Sequence, residues 1–341
     1  MVHAIDWIED DGGAAVRIID QTVLPQEEVH LDLRTVDALV DAIQRLAVRG
    51  APALGAAGGF GVALAERQGA REDWSPAELD AAIERVALAR PTAVNLEWGA
   101  RRVDAVRRAG GDALAEARTI AAEDEAANRE LSRHGADWLL ARTGKSTLRA
   151  ITHCNTGALA TTAWGTAYGV LKELHQRGAL ELVYVDETRP LLQGTRLTSW
   201  ELAQDGIPHV VQVDGAASST ILRGLVDFAV IGADRIAANG DSANKIGSVA
   251  LALAAQRAGI PFLVAAPMST VDVTLASGDL IEIEERDESE VLAVGGTAMS
   301  APGVRGFNPA FDVTPHDLIG GIVTERGVVE PTRTQPAFPS H

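Results

Sequence analysis

The sequence predicts an α/β protein in two parts. A mainly helical N-terminal domain with a small β meander (1–142) is followed by a doubly wound parallel-sheet domain (143–330). Three observations carry the prediction. At 341 residues the chain exceeds the usual single-domain size. Its hydrophobic period changes near residue 145, from helical spacing to short apolar runs separated by amphipathic stretches. Beyond that point, polar residues gather just after the apolar runs, where an open parallel sheet binds its ligands.

Residues 1–34 carry β-branched residues and short turns ("AAVRIIDQTVLP", "EEVHLDL") and read as a hairpin or meander. From Thr35 onward Val36, Leu39, Val40, Ile43 and Leu46 recur at helical spacing. The Ala-rich segments 55–67, 76–89, 93–109 and 112–142 pass the same test, and "AAEDEAANRE" (121–130) reads as a solvated helix face. The second part has five continuous apolar runs: 148–154, 180–186, 208–214, 227–234 and 260–266. Such runs alternating with helices indicate a parallel, Rossmann-like sheet covered on both faces. The tail 331–341 is expected to be disordered.

A net charge of −17 argues against nucleic acid or an anionic membrane surface as partner. No apolar stretch approaches the roughly 18–20 residues that cross a bilayer. The amino terminus has acids where a secretory signal needs bases, and a single cysteine suits a reducing cytoplasm. An acidic protein that binds a phosphorylated metabolite needs local cations. Two motifs mislead. "GKST" (144–147) lacks the P-loop glycine, because Leu139 stands five positions before Gly144. No strand of the sheet is followed by a G-x-G-x-x-G fingerprint, so a nicotinamide dehydrogenase is poorly supported.

Four segments carry candidate chemistry. Cys154 ends an apolar run and precedes "NTGALATTAWGTA", which is suited to open a helix. The helix dipole and unpaired N–H groups would then favour a thiolate; an inert buried cysteine is the alternative. Asp234 follows another run and would face the same crevice as a general acid or base, unless it caps the following turn. Asn244 and Lys245 lie one loop further, where Lys245 supplies either a phosphate contact or a solvated charge. "DETRPLLQGTRLTSWEL" (186–202) offers Arg189, Gln193, Thr195, Arg196 and Thr198, with Arg189 free to pair instead with Asp186 or Glu187. In the helical part, Arg49 and Gly50 precede a proline and a helix start, and Arg90 precedes another. These two starts would form a split phosphate clamp; helix packing also explains the Ala and Gly after Gly50.

The blocks "IDQTVLP" (19–25), "VRGAPALG" (48–55), "RPTAVNLEW" (90–98), "THCNTGALAT" (152–161), "DETRPLLQGTRLTSWEL", "GADRIAANGDSANKIG" (232–247) and "FNPAFDVTP" (307–315) resemble the methylthioribose-1-phosphate isomerase family. Its superfamily also contains ribose-1,5-bisphosphate isomerase and the regulatory subunits of the eukaryotic translation-initiation guanine-nucleotide exchange factor. The resemblance covers essentially the whole chain. It implies an aldose–ketose isomerase of methionine salvage that needs neither metal nor other cofactor. The substrate would be a small phosphorylated sugar, 5-methylthioribose 1-phosphate, and the enzyme a cytoplasmic homodimer. Cys154 matches the family's catalytic cysteine and Asp234 its proton-donating aspartate. Arg49, Gly50, Ala51, Arg90, Gln193, Asn244 and Lys245 match substrate-binding positions. "VDGAASSTILRG" (213–224) departs from the family's pattern around the 5-substituent. A 5-deoxyribose 1-phosphate or ribose 1,5-bisphosphate isomerase, or a non-catalytic regulatory protein of this fold, therefore remain as alternatives.

Overall fold

The structure is a computed structural model and describes residues 2–332 and 336–339. The chain forms two compact units. The first takes residues up to Arg129 together with Thr156–Gly165; the second takes Glu130–Asn155 and everything from Thr166. The division thus falls inside a long helix, not at 142/143, and the first unit recruits a segment from the predicted sheet domain.

The first unit begins with three antiparallel strands, β1 (Ile5–Asp10), β2 (Gly13–Ile19) and β3 (His30–Leu33), which are the meander the sequence predicts. Five helices follow: α1 (Val36–Gln44), α2 (Ala51–Arg71), α3 (Pro76–Ala87), α4 (Val94–Arg108) and α5 (Ala113–Thr143), the last running on into the second unit. Helix α2 is buried on all sides from Ala53 to Ala65, as a helix apolar all round must be. Its small residues answer to packing: a Cβ on Gly58 would strike the backbone of α4 at Leu96, and one on Gly99 would strike Gly55. Trp7 stacks on Phe60 at 6.3 Å, joining the meander to this core.

In the second unit, β4 (Leu148–Thr152), β5 (Leu180–Asp186), β6 (His209–Gln212) and β7 (Phe228–Ile231) come first. Then come β8 (Arg235–Ala237), β9 (Ser242–Lys245), β10 (Phe262–Ala265), β11 (Val271–Asp272), β12 (Ala293–Val294) and β13 (Thr297–Ala298). The last strands are β14 (Phe311–Thr314), β15 (Gly321–Thr324) and β16 (Gly327–Val329). The helices are α6 (Ala167–Gln176), α7 (Ser199–Gln204), α8 (Ala217–Leu222), α9 (Ser248–Ala258) and α10 (Ser289–Leu292).

The main sheet runs β16-β15-β10-β7-β4-β5-β6, parallel except for β16. Taken in chain order, its six parallel strands lie 3-2-1-4-5-6, the doubly wound order whose direction reverses between β4 and β7. Alternate strand residues bury on opposite faces: Ala150, Phe228, Val230 and Leu263 join one core with α5 and α6, while Ile151, Ala229, Ile231 and Val264 join another with α8 and α9. The sequence did not single out β15, or the small sheet β11-β8-β9-β14 beside the main one.

Two expectations are corrected. No helix opens after Cys154: residues 155–166 are irregular with one short 3-10 turn at Ala158–Ala160, and α6 starts only at Ala167. Small, β-branched and Gly residues there favour turns over helix, and Gly165 has φ +97°. The expected disorder of 331–341 does not hold for Pro336–Pro339, where Phe338 is buried and donates its N–H to Ala238 O at 2.9 Å; residues 333–335 and 340–341 lie outside the described residues. Among the described residues no helix is long and apolar enough to cross a membrane.

Candidate active site

Adjacent parallel strands β4 and β7, registered Thr152 to Val230, flank the reversal of strand order, and each is followed by a predicted catalytic residue. Cys154 lies two residues beyond β4, buried, with φ +63°. That backbone conformation is costly for a side chain other than Gly, Asn or Asp, and it is held from both sides. The Cys154 N–H donates to Thr188 Oγ1 at 2.9 Å, and Thr198 Oγ1 donates to Cys154 O at 2.6 Å. Thr188, itself at φ +65°, donates its hydroxyl to Asp186 O and its N–H to Asp214 Oδ1 (2.7 Å). Asp214 Oδ2 accepts the N–H of Arg189. Asp214 is thus a brace for the loop after β5. Asp234, partly buried, lies three residues beyond β7 and anchors its N–H on Ala243 O at 2.9 Å.

The residues around Cys154 form a buried polar network. Asn155 Nδ2 donates to Glu201 Oε2 at 2.6 Å and to Thr198. His153 places Nδ1 3.1 Å from Asp186 Oδ2 and Nε2 2.9 Å from Ile246 O. Asp186 Oδ1 accepts from Gln212 Nε2, whose Oε1 accepts from Thr220. Burial pulls the His153 pKa down, but the hydrogen bond and charge of Asp186, the charge of Asp214 and the Ile246 carbonyl together outweigh it, so the net direction is upward.

Gln193 is buried, and its Oε1 has no hydrogen-bond partner among the described residues. A buried carbonyl of this kind calls for an explanation, and a ligand donor is one. On β9, Asn244 Nδ2 donates to Ser248 Oγ at 3.2 Å. Lys245 is not solvated: its Nζ donates to Ala310 O at 2.9 Å and stands 4.6 Å above the Phe311 ring. Arg189 pairs with neither Asp186 nor Glu187; its guanidinium donates to the carbonyls of Pro190, Glu290 and Val291.

The sequence reading missed Asp312 on β14, which pairs with Asn244 in the strand register. Its Oδ2 accepts the N–H groups of Gly247 and Val249, and burial pushes its pKa up against those bonds and the charge of His153. Only the quoted block "FNPAFDVTP" hinted at it. His153, Asp186 and Asp214 present atoms within 4.8 Å of one another, the donor set of a metal site. The arrangement does not suit one, since both His153 nitrogens face acceptors and both Asp214 oxygens take backbone N–H groups.

In the first unit, α1 is capped by Thr35 and α3 by a Ser75–Glu78 capping box, whereas α2 and α4 have no side-chain cap. These two uncapped starts are the ones next to Arg49 and Arg90. Gly50 has φ +98°, and a Cβ there would strike the Ala160 backbone, so only glycine fits. Arg49 Nε reaches Gln21 Oε1 at 3.4 Å, and Gln21 Nε2 donates to Leu159 O. Ala51 opens α2, and Arg90 sits in the turn before α4, its carbonyl accepting from Ala93 N–H.

Fold and strand ends together define a doubly wound α/β protein with a thiol and a carboxyl after the two strands that flank its switch point. Residues 47–331 match the initiation factor 2 subunit family, and the chain belongs to that family. It is 49% identical over 336 residues to the methylthioribose-1-phosphate isomerase of Xanthomonas euvesicatoria, covering 96% of this chain and 94% of that protein. A Nocardia farcinica protein named as a probable bifunctional methylthioribose-1-phosphate isomerase/methylthioribulose-1-phosphate dehydratase is 53% identical over 96% of this chain, which spans 59% of that relative's length. Among solved structures, the 5-methylthioribose 1-phosphate isomerase of Pyrococcus horikoshii superposes with a TM-score of 0.86 at 40% identity, covering 99% of this chain and 94% of that one. The translation initiation factor eIF-2B subunit delta from A. fulgidus gives 0.84 at 39% identity, covering 97% of this chain and 96% of that one.

Proposed function

We propose that the protein is an aldose–ketose isomerase that converts 5-methylthioribose 1-phosphate into 5-methylthioribulose 1-phosphate, a step of methionine salvage. The observation that carries the reading is the placement of Cys154 and Asp234 after adjacent strands at the switch point. Relatives that bear this activity in their names match nearly the whole chain.

Phosphate blocks the anomeric hydroxyl of such a sugar, so ring opening needs a proton on the ring oxygen. Asp234 supplies it. Two routes then fit the pair. In one, the Cys154 thiolate takes the C2 proton and a phosphorylated enediol is reprotonated at C1. In the other, hydride moves from C2 to C1 while the thiolate assists by position and charge. Incorporation of solvent deuterium at C1 marks the first route. Exclusion of water protects either intermediate, and the burial of Cys154 is suited to that.

Gln193, Asn244 and Lys245 bind substrate in this reading, Gln193 through its unpartnered carbonyl. In the first unit Arg49, Gly50, Ala51 and Arg90 serve the phosphate, because uncapped helix starts supply N–H groups and positive dipole ends to an anion. The enzyme works in the cytoplasm as a homodimer; a hydrodynamic mass at the monomer value would contradict that state.

The test is an assay of the purified protein, without added metal, on 5-methylthioribose 1-phosphate, 5-deoxyribose 1-phosphate and ribose 1,5-bisphosphate. Preference for the first supports the salvage reading, and preference for another moves the substrate while keeping the pair. The likeness to the eIF-2B subunit gives a second reading: binding of sugar phosphate with turnover of none of the three would favour a regulatory protein.

A further inference from the structure

We propose that Thr188 is a positioning residue of this site: its hydroxyl sets the backbone conformation of Cys154, and Asp214 in turn sets Thr188. The isomerase reading is needed only for the kinetic consequence of this role.

Cys154 and Thr188 both hold left-handed backbones, at φ +63° and +65°. For a β-branched residue that conformation is an outlier, and glycine would occupy the position without strain. A threonine there is explained by what its side chain does. The hydroxyl accepts the Cys154 N–H at 2.9 Å and donates to Asp186 O at 2.9 Å. Thr188 is fully buried and Cys154 is nearly so. Removing this acceptor therefore takes away a hydrogen bond that is shielded from solvent.

Thr188 is itself fixed. Asp214 Oδ1 accepts the Thr188 N–H and Oδ2 the Arg189 N–H, each at 2.7 Å. Both carboxylate oxygens are thus committed to two successive peptide groups, in bonds strengthened by the charge. The Leu192 N–H then closes on Thr188 O at 2.8 Å. The same stretch of chain also holds the other side of Cys154. Thr198, the last residue of a π-helical turn (Gly194–Thr198), donates its hydroxyl to Cys154 O at 2.6 Å. Turns of that type recur at functional sites. The stretch after β5 therefore grips both peptide groups that flank the thiol-bearing Cα. A residue released from the left-handed region to the ordinary negative range of φ points its side chain elsewhere, and small misplacements of a reacting group are costly.

Because the chain has one cysteine, labelling with heavy-nitrogen cysteine yields a single backbone amide signal, that of Cys154. Its exchange with deuterated solvent is compared in wild type, Thr188→Ser and Thr188→Val, with near-ultraviolet dichroism to establish folding. Valine keeps the branched shape and removes the hydroxyl, so the Cys154 amide should exchange ~10-fold or more faster. Serine keeps the hydroxyl and should stay within ~3-fold of wild type. On 5-methylthioribose 1-phosphate, Thr188→Val should lose ~10-fold or more in kcat with KM within ~3-fold, while Thr188→Ser retains most of the rate. Wild-type exchange and kcat in folded Thr188→Val overturn the proposal, as does a serine variant no better than valine. Faster exchange with unchanged kcat also overturns it, since the bond would then position nothing that the reaction uses. Should Thr188→Val fail to fold, Asp214→Asn decides. With one carboxylate oxygen replaced by an amide, exchange at Cys154 should quicken and kcat should fall, and wild-type values for both overturn the role. A wild type that turns over no sugar phosphate, with the exchange pattern as expected, supports the clamp and counts against the isomerase reading alone.

Discussion

Two enclosed carboxyl groups, one in each unit, are held in opposite ways. Asp124 on α5 is bonded by neutral donors only: Asn128 Nδ2 at 2.9 Å, Thr162 N–H at 2.9 Å and Thr162 Oγ1 at 2.8 Å. Burial pushes its pKa from 3.8 up to about 6, against those bonds. Asp186 has a potential cation in His153 as well as the neutral Gln212 amide. A buried charge without a counter-ion titrates near neutrality, whereas one with a counter-ion is built into the framework. The first arrangement fits a clasp that fastens the 156–165 segment to its own unit. The second fits a brace that holds the ends of β4 and β5 together through His153 and Gln212.

If the strand ends of the second unit are where the chemistry happens, the largest effects belong there. Cys154→Ser and Asp234→Asn should each lower kcat by ~10³-fold or more while unfolding stays cooperative and close to wild type. Wild-type-like turnover in either would break the assignment.

Next comes the entry of the chain into α2. Gly50→Ala puts a methyl group against the Ala160 backbone in a left-handed conformation, and should cost about 2–4 kcal/mol of stability. Denaturant unfolding would measure this, and a loss below about 0.5 kcal/mol would mean that the 156–165 segment can move away. Substrate affinity should weaken as well, but stability is the sharper reading.

Asp124 provides the pH test. Because its folded pKa is raised above the unfolded one, the native state binds more protons between pH ~4 and ~6, and stability falls as pH rises through that window. The gap between 3.8 and about 6 is worth at most about 3 kcal/mol. In Asp124→Asn this slope should vanish, so the stability of wild type relative to the variant should increase from pH 7 down to pH 4. A difference that does not change with pH would show that Asp124 titrates as an ordinary exposed acid.

The same contrast marks what the sequence made legible. Strands β4, β5, β7 and β10 were readable because strands buried on both faces are continuous apolar runs, and Cys154 and Asp234 were readable as polar residues just beyond two of them. The edge strand β6 was readable from its valines although Val210 and Val211 are exposed. The small sheet was not, because its short strands carry polar residues such as Asn244 and Lys245 that tertiary partners satisfy. The segment 121–130 looked like a solvated face because most of its acids are: Glu123 pairs with Arg102 and Glu125 with Arg129 at the surface. Asp124 and Asn128 turn inward toward Thr162, a partner 38 residues from Asp124 that helical periodicity cannot reveal. His153 was visible as a neighbour of Cys154, but its partners lie 33 and 93 residues away. The helix expected after Cys154 failed because the chain leaves the sheet there to complete the first unit.

The smallest expected effect tests whether Arg49 contributes binding or chemistry. Arg49 lies beside the uncapped start of α2, where its Nε reaches Gln21 Oε1 at 3.4 Å, and its planar fork suits an anionic phosphate. Arg49→Ala should raise KM for the sugar phosphate ~10-fold, about 1.4 kcal/mol, with kcat changed by less than ~3-fold. A charge-assisted contact kept equally in ground and transition states lowers KM without raising kcat. Arg49→Lys should recover part of the loss, because the point charge survives while the planar fork does not. A drop in kcat with KM unchanged would reverse the assignment, placing Arg49 in the chemical step.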